Sequence, residues 1–235
     1  MGALRGLVFD KDGTLFDFRA TWGGWTRRVV EELSGGDATR AGQLSDALGF
    51  DPKRGDFAPG SPVIAHTATE IAGHLLPLLP GIDRAALVAR MNALAADVTL
   101  VEAVPLGPLF ARLAAMGLRL GLVTNDAEAP ARAHLARSGL VERFHFVAGF
   151  DSGHGAKPEP GPLLAFAEAA GLRPSGVAMI GDSRHDLLAG RAAGMRTVGV
   201  LTGVAGAEAL ADLADVVLPD IGHLPDWLDR NARSG

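Results

Sequence analysis

The stretch Leu4-Arg5-Gly6-Leu7-Val8-Phe9-Asp10-Lys11-Asp12-Gly13-Thr14-Leu15 decides the fold. Its first half is a short apolar run that ends on a turn, the pattern of a strand buried on both faces of a parallel sheet. Its second half carries two acids, two residues apart, to the carboxyl end of that strand, where open α/β sheets bind ligands. Gly13 permits a sharp turn and a close approach of backbone to ligand. In an extended segment the spacing directs Asp10 and Asp12 toward one side. Like charges about 4 Å apart repel by roughly 4 kcal/mol at an effective dielectric of 20, and a divalent cation would relieve that repulsion.

Outward from this strand, further short apolar runs bounded by turn residues occupy 119–124, 144–148, 177–180, 197–201 and 216–218. Helical patterns at about 106–116, 127–138, 161–170 and 184–194 alternate with them, which predicts an α/β fold with a doubly wound, Rossmann-like parallel sheet. Residues 17–100 break the alternation. There Trp22, Trp25, Val29, Val30 and Leu33 recur at helical spacing, and helical patterns follow at about 38–48, 63–78 and 83–96 without convincing strands. The expected organisation is a core of residues 1–16 and 101–235 with a small all-helical cap domain, 17–100, inserted after the first strand. At that point of the sheet the insertion covers the ligand crevice as a lid, and the need to return and complete the sheet weighs against an independent neighbouring domain.

A second acidic loop, Gly181-Asp182-Ser183-Arg184-His185-Asp186, follows the strand expected at 177–180. A helix starting near Ser183 would bring Asp182 and Asp186 to one side of its first turn, close enough to share a hard cation. Oxygen ligands and few histidines favour magnesium over zinc. Two more loops offer donors to a phosphate: Thr124-Asn125 at the end of another strand, and Lys157 ahead of Pro158-Glu159-Pro160-Gly161-Pro162. The chain has only three lysines, at 11, 53 and 157, so a compact ammonium at 157 stands out against the arginines that carry positive charge elsewhere.

In this order the four loops resemble the motifs of the haloacid dehalogenase superfamily of phosphatases, and the match runs over nearly the whole chain. The resemblance implies that Asp10 attacks phosphorus and that Asp12 serves as general acid and then base. It implies that Thr124, Asn125 and Lys157 bind the phosphoryl group, and that Mg2+ is held by Asp10, Asp182, the backbone carbonyl of Asp12 and, in support, Asp186. Members with a helical insertion after the first strand are most similar, among them phosphoglycolate phosphatase-like hydrolases. The implied activity is magnesium-dependent hydrolysis of a small phosphate monoester, phosphoglycolate or a similar phosphorylated metabolite, through an aspartyl-phosphate intermediate. A phosphosugar mutase similar to β-phosphoglucomutase shares the four motifs and is the alternative within the superfamily. Dehalogenases lack the second acid, and phosphonate-cleaving relatives need a lid lysine, whereas Lys53 sits in an Asp51-Pro52-Lys53-Arg54-Gly55 turn. Lys11 departs from the apolar residue usual between the two motif acids.

Composition narrows the remaining classes. A net charge of −5 with no cluster of Lys and Arg argues against nucleic acid as a partner. The absence of cysteine rules out disulfides and thiolate chemistry and fits a cytoplasmic location. The N-terminal apolar run is too short for a signal or membrane segment, so no membrane association is expected. A monomer or homodimer acting on a small molecule is the expected state. A non-enzyme reading, a catalytically silent phosphate-binding module or a receiver, is opposed by the insertion, since receivers are much shorter and have no helical excursion after the first strand.

Individual residues also have plainer readings. Thr124 and Asp186 suit helix caps. Trp22 and Trp25 lie on an apolar stripe and read first as packing. His66, Glu70 and His74 follow one another at four-residue steps, which reads as a helix face before it reads as a metal site. Arg19 and Arg27 are the insertion residues that could pair with a carboxylate or second anion of the substrate, although a solvated helix face is the plainer reading of each.

Overall fold

The computed structural model describes the backbone of residues 4–64 and 66–233, and the side chains of 4–64 and 66–230. The N-terminal residues read above for a leader therefore lie partly outside the described ones. The chain opens with β1 (Gly6–Phe9) and leaves for α1 (Phe18–Ser34), α2 (Ala38–Ala47), the short strands β2 (Phe50–Asp51) and β3 (Asp56–Phe57), α3 (Ala68–Leu75) and α4 (Arg84–Ala96). It returns through α5 (Leu106–Ala115), β4 (Arg119–Val123), α6 (Glu128–Arg137), β5 (Phe146–Ala148), α7 (Gly161–Ala169), β6 (Val177–Gly181), α8 (Arg184–Ala192), β7 (Arg196–Val200), α9 (Ala207–Leu210), β8 (Val216–Leu218) and α10 (Leu224–Arg233). Six strands form one sheet in the order β5-β4-β1-β6-β7-β8, and every pair in it is parallel.

β1 is central because all four of its residues are buried and apolar or glycine, which only a strand covered on both faces tolerates. Phe9 pairs with Leu122 on one side and Ile180 on the other, so the ends of β1, β4 and β6 arrive together. The winding runs outward to β4 and β5 in one direction and through β6 to β8 in the other. The end of β1 thus sits where the strand order reverses, the place at which such sheets bind ligands. Leu7 and Phe9 pack on one face with Phe110, Leu122 and Ile180, while Val8 packs on the other with Phe166 and Met179, as a two-residue period requires.

Between β1 and α5 the insertion has a core of its own, built from Phe18, Trp22, Trp25 and Val29 of α1 against Leu44, Ile71, Leu75 and Met91. The chain leaves and returns through two paired segments: Asp17 N donates to Val101 O at 2.8 Å and Ala103 N to Leu15 O at 2.9 Å. The helices expected there form, with two amendments. A two-stranded ribbon interrupts them, because Asp51 accepts hydrogen bonds from Lys53 N and Arg54 N and Gly55 takes a φ of 69°, which closes a hairpin between Phe50 and Phe57. The helix expected over 63–78 starts only at Ala68, where Thr67 and Glu70 form a reciprocal capping box, and ends in a single 3-10 turn at Leu76–Leu78. In the core, β5 begins at Phe146 rather than 144, since Phe144 turns inward onto the rings of Phe9 and Phe110. Among the described residues no helix is long and apolar enough to cross a membrane.

Candidate active site

Strand pairing carries Asp10 to the sheet edge, its N–H donating to Ile180 O at 2.8 Å. The loop then doubles back, with Leu15 N and Phe16 N both donating to Lys11 O. Gly13 makes the bend possible: its φ is +79°, and a Cβ there would run into the Asp182 carboxylate. Thr14 Oγ1 donates to Asp182 Oδ1 at 3.3 Å and Thr202 Oγ1 to Gly13 O at 2.6 Å, which fastens the first acidic loop to the second. Gly13→Ala is therefore expected to cost roughly 2 kcal/mol or more, by combining a left-handed backbone penalty with displacement of a buried carboxylate. Thermal unfolding measures that loss; unchanged stability would show that the loop can rearrange.

Asp10, Asp182 and Asp186 each offer an oxygen within 4.8 Å of the others, and all three are buried. Lys157 Nζ lies between two of them, 2.5 Å from Asp10 Oδ1 and 2.6 Å from Asp186 Oδ1. Asp186 helps cap α8, its Oδ2 accepting from Ser183 N (3.0 Å) and Ser183 Oγ (2.6 Å), while its Oδ1 accepts from Lys157 Nζ. Burial pushes Asp10 up to about 7 against the pull of Lys157, with Asp186 and Asp12 adding to the rise. Burial, then Asp186 and Asp10, hold Asp182 well above the usual carboxylate range. Burial alone would lower Lys157, yet Asp10 and Asp186 outweigh it and hold the ammonium above its ordinary value. Three buried carboxylates against one ammonium offer oxygen ligands only, which fits a hard divalent cation such as Mg2+.

The Asp12 carboxylate stands apart from that trio, 2.7 Å from Lys11 Nζ. Thr124 is buried in the wall above, its Oγ1 accepting from Asp126 N at 3.1 Å, a local turn rather than the cap of α6, which begins after Ala127. Asn125 does something the motif did not announce. Its Nδ2 donates to Lys157 O and its Oδ1 accepts from Lys157 N, both at 2.9 Å, so from the cavity wall its side chain holds the lysine's main chain.

These residues floor a cavity of about 650 Å³, counting the part open to solvent. The insertion supplies its roof with Phe18, Trp22, Trp25, Ile64, Ile71 and Met91. Trp22 and Trp25, packed edge to face at 5.0 Å, belong to the insertion core and to the cavity wall at once. The substrate contact expected of Arg19 and Arg27 is corrected: neither lines the cavity. They lie off the apolar stripe of α1, where Arg19 pairs with Asp56 at 2.9 Å and Arg27 donates to Pro52 O at 2.9 Å, tying the ribbon to the helix. Lys53 is exposed in the ribbon turn. His66 and His74 stack at 5.8 Å while Glu70 serves the capping box, and among the described residues the aspartate trio is the one metal-type cluster found.

Sequence reading missed how Asp126 and His134 join Lys11. His134, on α6, is buried with Nδ1 3.0 Å from Lys11 Nζ, and nothing in its neighbours Ala133 and Leu135 signals that. Burial first, then Lys11, push His134 down to about 4.

Two titrations with opposite signs follow. Asp10 holds its proton in the folded state up to about pH 7 but loses it near 4 when unfolded, so metal-free stability falls as pH rises through that window, by at most roughly 4 kcal/mol. His134 is neutral when folded and protonated when unfolded below about 6.5, so its contribution rises over pH 4 to 6.5, by roughly 3 kcal/mol. Chemical unfolding of metal-free Asp10→Asn should show stability climbing more steeply with pH than in the parent, and His134→Gln the reverse. Parallel pH profiles for all three proteins would refute both assignments.

A family profile described as haloacid dehalogenase-like hydrolase matches residues 4–194. The chain belongs to that family of hydrolases. Among curated proteins it is 40% identical over 121 residues to the phosphoglycolate phosphatase of Rhodospirillum rubrum, covering 51% of this chain and 50% of that one. It is 40% identical over 114 residues to the Escherichia coli K12 phosphoglycolate phosphatase, covering 48% and 45%. The matches thus span about half the length of these relatives. A solved structure of a predicted phosphoglycolate phosphatase from Haemophilus somnus superposes with a TM-score of 0.73 at 18% identity, over 96% of this chain and 98% of that one. A HAD family hydrolase from Deinococcus radiodurans, solved with bound phosphate and sodium, gives 0.67 at 22% identity over 97% and 96%. At these identities the structural likeness speaks for the fold.

Proposed function

We propose that this protein is a magnesium-dependent phosphatase that hydrolyses a compact phosphate monoester through an aspartyl phosphate on Asp10. One observation carries the reading: three buried carboxylates, Asp10, Asp182 and Asp186, meet Lys157 at the floor of a roofed cavity. In the first half-reaction an Asp10 carboxylate oxygen bonds to phosphorus, the bond to the leaving oxygen breaks, and Asp12 gives that oxygen a proton. In the second, Asp12 takes a proton from water as the water oxygen bonds to phosphorus and Asp10 is released. Lys157 and Thr124 bind phosphoryl oxygens, and Asn125 keeps Lys157 in place through its main chain. Asp10, Asp182, Asp186 and the backbone carbonyl of Asp12 would hold Mg2+, which when bound would supply neutralisation of the negative charge gathered at the reacting centre.

Residues 17–100 act as the cap, and their apolar roof suits a small leaving group with few charges. Lys157 is the one Lys or Arg among the described lining residues. 2-Phosphoglycolate, the compound in the relatives' names, is the first candidate substrate, in a protein working in the cytoplasm as a monomer or homodimer. The test is magnesium-dependent phosphate release from 2-phosphoglycolate, simple alkyl phosphates, sugar phosphates and p-nitrophenyl phosphate. Release that disappears on chelation supports the reading. Turnover of a sugar phosphate only in the presence of its bisphosphate would replace it with a mutase. No release at all from folded, magnesium-loaded protein would leave a binding module.

A further inference from the structure

We propose that Lys11 is a positioning residue that holds Asp12 by one carboxylate oxygen and links it, through His134 and Trp22, to the helical insertion. The proposal rests on the phosphatase reading, in which Asp12 is the acid-base group. Lys11 has no exposed surface, and an ammonium so deep is costly unless its donors are matched. Three acceptors surround its Nζ: Asp12 Oδ2 at 2.7 Å, Asp126 Oδ2 at 3.1 Å and His134 Nδ1 at 3.0 Å. The face of Trp22 lies on a further side, with the ring centroid 5.2 Å away. An ammonium has donors and no acceptor: Lys11 donates to His134 Nδ1, and the two carboxylates balance its buried charge as ion-pair contacts.

The same asymmetry fixes the imidazole. Because Lys11 can only donate, His134 Nδ1 accepts and its proton sits on Nε2, which lies 2.8 Å from Ala95 O. Ala95 is in α4 and Trp22 in α1, both within the insertion, whereas Lys11, Asp12, Asp126 and His134 are core residues. The ammonium is therefore seated against both bodies. Its hold on Asp12 is one-sided: Oδ2 is taken by Lys11, while Oδ1 is buried with no protein hydrogen-bond partner among the described residues, in a side chain that lines the cavity. A leucine or methionine at position 11 would leave Asp12 free to rotate and Asp126 without its cation.

The test compares wild type, Lys11→Met, His134→Leu and the double variant, all loaded with magnesium, on the best alkyl phosphate of the panel and on p-nitrophenyl phosphate. Misplacing an acid-base group costs most when the leaving oxygen needs a proton, and a nitrophenolate leaves without one. For Lys11→Met we expect kcat/KM on the alkyl ester to fall by about 30-fold or more, and kcat/KM on the nitrophenyl ester to fall by less than about fivefold, since this ratio reports the transfer to Asp10 and not the later hydrolysis that both esters share. His134→Leu should show the same contrast at a smaller size, and the double variant should be no worse than Lys11→Met, because His134 acts through Lys11. A folded Lys11→Met enzyme with near-parent kcat/KM on the alkyl ester, an equal loss of kcat/KM on both esters, or additive losses in the double variant would overturn the proposal. Should Lys11→Met not fold, equal losses on both esters in His134→Leu would overturn it alone. If the parent turns over neither ester, the phosphatase reading falls and takes this proposal with it. Parent turnover that Asp10→Asn abolishes and Lys11→Met leaves intact removes only the proposal.

Discussion

Asp10→Asn is expected to lower phosphate release by about 10⁴-fold or more, because an amide cannot form the acyl phosphate and no other group replaces a lost nucleophile. The same change should make the metal-free protein more stable above pH 7. Burial and the neighbouring Asp186 and Asp12 disfavour the charged carboxylate by more than Lys157 recovers, which is why its proton is held up to about pH 7. A neutral amide of the same shape escapes that cost, a gain of up to roughly 4 kcal/mol. Magnesium should reverse the order, since the parent keeps three carboxylates for the cation and the variant two. Unfolding curves at pH 8 with and without magnesium, beside turnover, check all three outcomes. A variant that is inactive but no more stable without metal would mean that Lys157 already compensates Asp10 in full.

Lys157→Met works in the opposite sense. Its ammonium bridges Asp10 and Asp186, both buried, and removing one partner of a buried ion pair leaves uncompensated charge worth about 3 to 5 kcal/mol. Metal-free Lys157→Met should therefore be strongly destabilised at pH 8, and less so near pH 5, where Asp10 takes up a proton. Magnesium should restore much of the stability but not the turnover, which is expected to stay down by about 10² to 10³-fold for want of a donor to the phosphoryl oxygens. Turnover within a few-fold of the parent in the magnesium-loaded variant would remove Lys157 from the phosphate-binding role.

The sheet was legible because each strand is a short apolar run cut by turn residues, and because Asp10, Thr124 and Asp182 all fall at or just beyond the ends of such runs. The insertion was legible from the stripe Trp22, Trp25 and Val29, which repeats at helical spacing. The ribbon at Phe50–Phe57 was not, since two residues per strand leave no periodicity and its signal, the Asp51 to Gly55 turn, reads equally as a loop. Local chemistry also hid the work of Asn125 and Asp186: each side chain bonds to main chain or to a cap as well as facing the site, a division that only coordinates reveal. Arg19 and Arg27 stayed open between substrate contact and solvated surface because charge on an insertion helix says nothing about which way it points. Lys11 stood out as an odd residue between two acids, but its partners Asp126 and His134 come from more than a hundred residues away.

The central claim is that phosphate passes through Asp10, and trapping it there is the direct measurement. Magnesium-loaded enzyme would be mixed with the best substrate, quenched within the first turnover, reduced with borohydride and digested, and the peptides mapped by mass. The account predicts reduction of the acyl phosphate at Asp10, converting that residue to homoserine in the peptide that begins the first acidic loop, with no such change in Asp10→Asn. Steady turnover with Asp10 unmodified, or with the modification on another residue, would contradict it.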